Sequence, residues 1–343
     1  MAGNITYHEQ TDMDNIRKLR EVLKTLPAFA KDYFRAIEPT TSTKTRISYA
    51  YDIRIFFQFL ISQNPSLAKI GIPNLNVSVL DQLKPIDIEE YMEYLKLYDS
   101  PNDQTTITNG ERGLKRKISS LRSFYTYYYK RQAIETNPVQ LVDVPKIHDK
   151  AIIRLDAGET AALLDYIEHC GDQLTGQRKA YYEKTKLRDL AIVTLLLGTG
   201  IRVSECVGLD VEDIDFRNNG IRLIRKGGSE MVVYFGPEVE KALKDYLEAR
   251  KAISPLEGHE HALFYSTQRK RIGVQAVENL VKKYARAITT TKKITPHKLR
   301  STYGTTLYQE TGDIYLVADV LGHKDVNTTK KHYAAMDDAR RRK

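Results

Sequence analysis

The sequence has few residues of the kinds that build covalent or metal-linked frameworks, and it has no long apolar run. It contains only two cysteines, Cys170 and Cys206, which form neither a disulfide framework nor a zinc-binding pattern. The longest mostly apolar stretch, Leu190 to Leu197, is far shorter than the roughly 20 residues that span a bilayer. The N-terminus, rich in Asp, Glu and Asn, lacks the apolar core of a signal peptide. These absences predict a cytoplasmic protein without a membrane span.

The charge balance is positive. The 343 residues include 53 Lys and Arg against 44 Asp and Glu, a formal net charge of +9. Neutralising the phosphates of a nucleic acid releases counterions, so this balance favours a polyanionic partner. The length leaves room for two domains, each with a core of its own.

An ordered set of basic residues ends in one tyrosine. Arg202 lies in Gly-Thr-Gly-Ile-Arg-Val-Ser-Glu, His297 and Arg300 lie in Thr-Pro-His-Lys-Leu-Arg, His323 follows Leu-Gly, and Tyr333 comes last. A phosphodiester under attack becomes doubly charged, and planar guanidinium groups bind its oxygens two at a time. A tyrosine ester with phosphate keeps the energy of the broken linkage available for religation. The set therefore indicates DNA strand exchange that requires no metal and no nucleotide cofactor.

These segments resemble the active-site boxes of tyrosine recombinases, most closely the Xer type. The resemblance covers residues 200–205, 295–300 and 320–323, together with Tyr333. It implies that Tyr333 is the nucleophile and that Arg202, Arg300 and His323 bind the scissile phosphate. His297 is then the proton acceptor or a further phosphate ligand.

Two supporting residues also fit the resemblance. Glu205 lies one helical turn after Arg202, where an acidic residue in the family orients active-site groups. Lys226 follows the β-prone run 221–225 and precedes a second such run, 231–235, with Gly227-Gly228 as the expected hairpin turn. Family members carry a lysine at this hairpin tip, which protonates the departing 5′ oxygen.

The end of the chain departs from the Xer pattern. Tyr333 lies ten residues after His323, one more than is usual in Xer proteins, and His332 occupies the shorter spacing. We expect Tyr333 to be the nucleophile and assign no role to His332. The stretch after Tyr333 is short, and docking of this tail onto a neighbouring subunit stays open.

Helical periodicity predicts a mainly α fold with a small antiparallel β-sheet. We expect a helical core-binding domain over residues 1–145, a linker over 146–154, and an α+β catalytic domain over 155–343. No arm-binding domain is expected before the helical bundle. Three helices are expected in the N-terminal domain. The first has its apolar face at Ala50, Ile53, Phe57 and Leu60, and the second runs from Lys84-Pro85 through Tyr94. The third has its apolar face at Leu114, Ile118, Leu121, Tyr125 and Tyr128.

The last of these N-terminal helices also carries a run of basic residues. We expect this run to contact DNA, together with a second basic group later in the chain, although a solvated charged face is the alternative for either. The expected DNA-binding residues are Arg112, Lys115, Arg116, Lys117, Arg122, Lys282, Lys283 and Arg286.

The leading hypothesis is a site-specific recombinase that exchanges strands through a Holliday junction. Four protomers would assemble on two double-stranded DNA sites in the nucleoid, with an accessory protein such as a DNA translocase or a directionality factor. The alternatives are a type IB topoisomerase and a DNA-binding regulator without chemistry. Chromosome dimer resolution and mobile-element integration or excision are both open.

Overall fold

The computed structural model describes residues 6–99, 105–148, 152–225 and 230–322. The chain divides into two compact units, Met1–Asp149 and Lys150–Lys343.

The first unit is helical, with a short two-stranded sheet. Strands β1 (Leu97–Asp99) and β2 (Thr106–Thr108) pair antiparallel, with Tyr98 opposite Ile107. The α-helices among the described residues are α1 (Tyr7–Lys24), α2 (Ala30–Ala36), α3 (Thr43–Gln63), α4 (Pro65–Ile70), α5 (Pro85–Lys96) and α6 (Glu111–Lys130).

The predicted helical stripes are confirmed by burial. On α3 the side chain of Ser42 caps the first turn by accepting a hydrogen bond from the Thr45 N–H at 3.2 Å. Every residue of the α3 and α6 stripes is buried: Ala50, Ile53, Phe57, Leu60, Leu114, Ile118, Leu121, Tyr125 and Tyr128.

The core of this unit is aromatic. The rings of Phe56 and Tyr91 meet edge to face at 5.2 Å, and those of Tyr33 and Phe124 do so at 5.1 Å. Such pairs contribute about 0.5–1.5 kcal/mol each beyond the burial of their area. The hydroxyl of Tyr128 donates to the carbonyl oxygen of Phe29 at 2.7 Å, so this ring packs without losing its hydrogen bond.

The second unit combines helices with a three-stranded antiparallel sheet in the order β3-β4-β5. The strands are β3 (Ile214–Asp215), β4 (Gly220–Ile224) and β5 (Glu230–Tyr234), so the predicted hairpin arms are confirmed. The α-helices among the described residues are α7 (Ala157–His169), α8 (Gly176–Thr199), α9 (Val203–Gly208), α10 (Pro237–Arg250), α11 (Val274–Ile288), α12 (Pro296–Thr311) and α13 (Ile314–Leu321).

Helix α8 differs from its prediction at both ends. The run Lys186–Leu197 is mostly apolar and is followed by Gly198, a pattern that predicts a helix ending at Gly198, whereas α8 begins at Gly176 and continues through Thr199. Gly198 thus lies inside the helix, and close packing of α10 explains the glycine: a Cβ at this position would lie 2.5 Å from Cγ2 of Val239. The apolar run is thus a buried helix. Nowhere in the described ranges is a helix long and apolar enough to cross a membrane.

Candidate active site

Gly200 turns the chain sharply between α8 and α9. Its φ is +62°, in the left-handed region that glycine adopts without strain. A Cβ at this position would overlap the ring of Tyr303 on α12. Two residues later Arg202 is the N-cap of α9, and its side chain reaches Gly322 at the C-terminal end of α13.

Glu205 fixes the side chain of Arg202. Its Oε2 accepts the backbone N–H of Arg202 at 2.7 Å, and its Oε1 accepts Nη1 of the same residue at 2.7 Å. The Glu205 side chain is 6% exposed and that of Arg202 is 40% exposed. A buried carboxylate requires such pairing. The Arg202 guanidinium is therefore held in one orientation while remaining accessible to an anion.

Arg300 reaches the same place from α12. It is 4% exposed, and its two Nη atoms donate to the carbonyl oxygens of Gly200 and Leu321. Nη2 of Arg202 donates to the next carbonyl, that of Gly322, at 3.2 Å. The structure therefore brings the two predicted phosphate-binding arginines together at the C-terminal end of α13.

A third arginine at this junction was not predicted to belong to the site. Arg225, directly after β4, donates from Nη2 to the carbonyl oxygen of Val320 at 2.8 Å and from Nη1 to that of Asp319 at 3.5 Å. Its guanidinium lies against the backbone of Gly322, where a Cβ would overlap it. No spacing rule in the sequence indicates this contact, because its partners are backbone carbonyls 94 and 95 residues further along the chain.

Charged groups of both signs lie near the Arg225 guanidinium. Burial lowers the pKa of its guanidinium, Glu205 opposes that change, and the charge of Arg202 adds to it. Two guanidinium groups therefore repel each other here, and the buried Glu205 carboxylate offsets part of that repulsion.

His297 lies in the first turn of α12, where the sequence Thr295-Pro296 predicts the start of a helix. Thr295 is the N-cap, Pro296 is the first helical residue, and His297 is exposed one turn before Arg300. The positive end of the helix dipole adds to the field around these two side chains.

Three predicted site residues lie outside the described residues. These are Lys226, His323 and Tyr333. In the sequence Lys226 follows Arg225, and His323 follows Gly322.

The basic residues of α6 divide into two groups. Arg112 and Lys115 are exposed, as expected of a DNA-binding face. Arg116 forms a bidentate pair with Asp52 of α3 at 2.5 and 2.8 Å, and the buried Lys117 lies 3.6 Å from the same carboxylate. Burial lowers the pKa of Lys117. The expected contact of Lys117 with DNA does not fit this placement, because its side chain is buried beside the Asp52 carboxylate.

Arg122 has a structural partner. Its Nε donates to the carbonyl oxygen of Val139 at 3.1 Å, and its Nη2 donates to that of Val142 at 2.5 Å. It thereby attaches the segment after α6 to that helix.

The second basic group lies along α11. Lys282, Lys283 and Arg286 are all exposed, and Nζ of Lys283 lies 4.4 Å from the centre of the Tyr284 ring. A cleft of about 610 Å³ opens at the end of this helix. Its lining comprises Lys282, Ala285, Arg286, Thr289, Thr290, Thr291, Lys292, Lys293 and Ile294.

The two cysteines lie apart from the candidate site chemistry. Cys170 and Cys206 are free and buried, and burial raises the pKa of the Cys206 thiol to about 12, which leaves it unreactive near neutral pH. Across the described ranges, no group of three or more His, Cys, Asp or Glu side chains is placed to hold a metal ion.

Comparison with known proteins decides the family. The model of the phage integrase family matches residues 154–340. The chain belongs to this family. It is 33% identical over 335 residues to tyrosine recombinase XerC of Caldanaerobacter subterraneus subsp. tengcongensis, covering 94% of this chain and 86% of the relative. It is 29% identical over 344 residues to tyrosine recombinase XerS of Streptococcus equi subsp. zooepidemicus, covering 94% and 96%.

Solved structures of recombinases share the fold. XerH site-specific recombinase, crystallised with a palindromic difH substrate as a post-cleavage complex, matches with a TM-score of 0.66 at 17% identity, over 97% of this chain and 88% of its own. A variant of the Tn1549 transposon integrase with transposon right end DNA matches at 0.63 and 22% identity, over 90% and 96%. The predicted fold class, mainly α with a small antiparallel sheet, is confirmed.

Family membership also settles the class of reaction. The protein is a tyrosine-type site-specific recombinase, an enzyme that breaks and rejoins DNA strands. The topoisomerase and regulator alternatives are not favoured, because the related proteins bear the names of recombinases.

Proposed function

We propose that Arg202 and Arg300 bind the scissile phosphate of a specific DNA site and that Tyr333 attacks it. The observation that carries the proposal is the convergence of these two arginines, from α9 and α12, on the adjacent carbonyls of Gly322 and Leu321. A phosphate at the accessible edge of Arg202 would meet a guanidinium already oriented by Glu205. Removing one preorganised donor of this kind typically costs 10²–10³-fold in rate, or about 3–4 kcal/mol.

The proposed chemistry is a transesterification in two balanced steps. The phenolic oxygen of Tyr333 attacks phosphorus and passes its proton to His297, while His323 helps to bind the phosphate oxygens. The bond to the 5′ oxygen breaks as Lys226 donates a proton to it, which leaves a 3′-phosphotyrosyl linkage. The 5′ hydroxyl of another strand then attacks phosphorus and passes its proton to Lys226, while His297 returns a proton to the departing oxygen of Tyr333, which restores the enzyme and forms the exchanged strand.

Double-stranded DNA is the proposed partner, and the exposed basic residues are the proposed contacts. Arg112 and Lys115 on α6 and the α11 group Lys282, Lys283 and Arg286 are all exposed and can bind phosphates. XerH was crystallised with its difH substrate, and this relation in fold supports a DNA site as the partner here. Arg116, Lys117 and Arg122 support the fold of their helix, and Arg116 alone of these three is exposed enough to reach DNA as well.

The proposed assembly is four protomers on two paired sites, in which two active sites are used at a time through a Holliday junction. We further propose residence in the cytoplasm at the nucleoid and an accessory partner such as a DNA translocase or a directionality factor.

Covalent capture on genomic DNA tests the proposed function. The protein is incubated with fragments of the source genome, the mixture is denatured, and DNA attached to protein is sequenced. We expect one short inverted-repeat site, with protein on the 3′ phosphate and strand exchange between two copies of that site. Capture at many unrelated sequences, with relaxation of supercoils and no exchange, would favour a topoisomerase-like activity instead.

A further inference from the structure

The C-terminal end of α13 is enclosed by arginines. The last carbonyls of an α-helix have no partner within the helix and must find one elsewhere. Here Arg225 serves the carbonyl of Val320, Arg300 serves that of Leu321, and Arg202 serves that of Gly322. The carbonyl of Asp319 accepts the Gly322 N–H at 2.8 Å and has a longer contact with Arg225 at 3.5 Å. Cations at the negative end of the helix dipole stabilise it further.

Arg225 differs from the other two arginines in how it is held. Its guanidinium lies against the backbone of Gly322, whose φ of +60° and missing Cβ make this approach possible. Its Nε is shielded from solvent and, within the described residues, has no hydrogen-bond partner. Both of its Nη atoms donate to carbonyls of α13, so Arg225 ties the start of the hairpin loop after β4 to the end of this helix. This contact suits a residue that positions its neighbours.

Helix α13 depends on such support. It has only eight residues, and isolated helices of this length are not stable in water. Val317 and Leu321 anchor its apolar side against Tyr308, whereas Arg225 holds its polar end. If that end moves, the carbonyls that orient Arg202 and Arg300 move with it. A displacement of about 1 Å at a reacting centre can cost on the order of 10²-fold in rate.

We infer that Arg225 is a positioning residue for strand cleavage: it fixes the end of α13, against which the two phosphate-binding arginines are oriented. The inference rests on the proposed roles of Arg202 and Arg300. It assigns no contact between Arg225 and DNA.

The test compares Arg225→Met with Arg222→Met in the full-length protein. Arg222 is a matched control, because it is an exposed arginine of β4, three residues before Arg225. Its Nη2 lies 3.0 Å from Oδ1 of Asp213, and its ion pair does not involve α13. Single-turnover formation of the covalent complex is measured at saturating site DNA, together with the Kd for the site and the unfolding temperature. Arg225→Lys keeps the charge but loses the two-pronged geometry.

We expect Arg225→Met to cleave at least about 10-fold more slowly than the parent while its Kd changes less than about 3-fold. The cleavage rate of Arg225→Lys should lie between those of Arg225→Met and the parent. Arg222→Met should cleave at the rate of the parent. Cleavage by Arg225→Met at the rate of Arg222→Met overturns the inference, as does a loss confined to the Kd. If Arg225→Met does not fold, Arg225→Lys decides, and a parental rate overturns the inference. A parent that forms no covalent complex contradicts the proposed function instead.

Discussion

At the scale of single residues, the candidate site depends on where side chains meet backbone. Arg300 donates to the carbonyls of Gly200 and Leu321, and Arg202 donates to that of Gly322. Backbone carbonyls carry no sequence signature. The sequence could therefore predict the two arginines from their boxes but could not predict what holds them, and it missed Arg225 for the same reason.

Gly200 allows a direct test of this backbone junction. Gly200→Ala places a Cβ against the ring of Tyr303 and forces a non-glycine residue to φ +62°. Such a residue costs about 1–3 kcal/mol. We expect a lower unfolding temperature and a cleavage rate reduced by at least about 10-fold, because Arg202 follows two residues later.

Gly158→Ala is the matched control, since Gly158 lies in α7 and an added Cβ there would have its nearest contact, Oδ1 of Asp156, at 3.4 Å. Helix propensity favours alanine there, so stability should hold or rise by up to about 1 kcal/mol. Equal stability and activity in Gly200→Ala and Gly158→Ala would remove Gly200 from this account.

At the scale of elements, periodicity predicted which apolar helix faces are buried, but it did not predict which charged side chains are buried with them. The apolar stripe of α6 could be read from the sequence because its spacing is local. The burial of Lys117 could not, because it depends on Asp52 of α3, which lies 65 residues earlier. The end of α8 was misplaced for a related reason: close packing against Val239 explains Gly198 better than helix termination does.

The exposed face of α6 makes a prediction about salt dependence. Lys115→Ala removes one proposed phosphate contact, so the slope of log K against log salt concentration should become shallower by about 1. Lys24→Ala serves as the control, because Lys24 is exposed on α1 and already paired with Glu21 at 2.8 Å. Fluorescence anisotropy with site DNA at several salt concentrations gives both slopes. An unchanged slope for Lys115→Ala would place the DNA on another face.

At the scale of the whole molecule, the chain combines a helical unit with a second unit that holds the candidate site. Composition predicted the sign of the partner's charge, and the boxes predicted the family, which comparison confirmed. Neither the composition nor the active-site boxes predict how many copies of the protein assemble or when. It depends on how copies of the protein meet on DNA.

Electrostatics predicts that assembly requires DNA. Copies with a net charge of +9 repel one another, and the phosphates of paired sites neutralise that charge. We expect light scattering to give the mass of one chain in free protein and of four chains on paired sites. A stable tetramer without DNA at micromolar concentration would contradict this prediction.

The central claim is that Tyr333 cleaves DNA by forming a covalent bond to the 3′ phosphate. A nicked suicide duplex that carries the captured site is incubated with the protein and with Tyr333→Phe, and the products are resolved on a denaturing gel. Phenylalanine keeps the ring and removes only the attacking oxygen, so Tyr333→Phe should bind the site normally and form no covalent complex. His332→Ala, the control for the shorter spacing, should still form it. A covalent complex formed by Tyr333→Phe would contradict Tyr333 as the nucleophile. So would a result in which His332→Ala forms no covalent complex while Tyr333→Phe does.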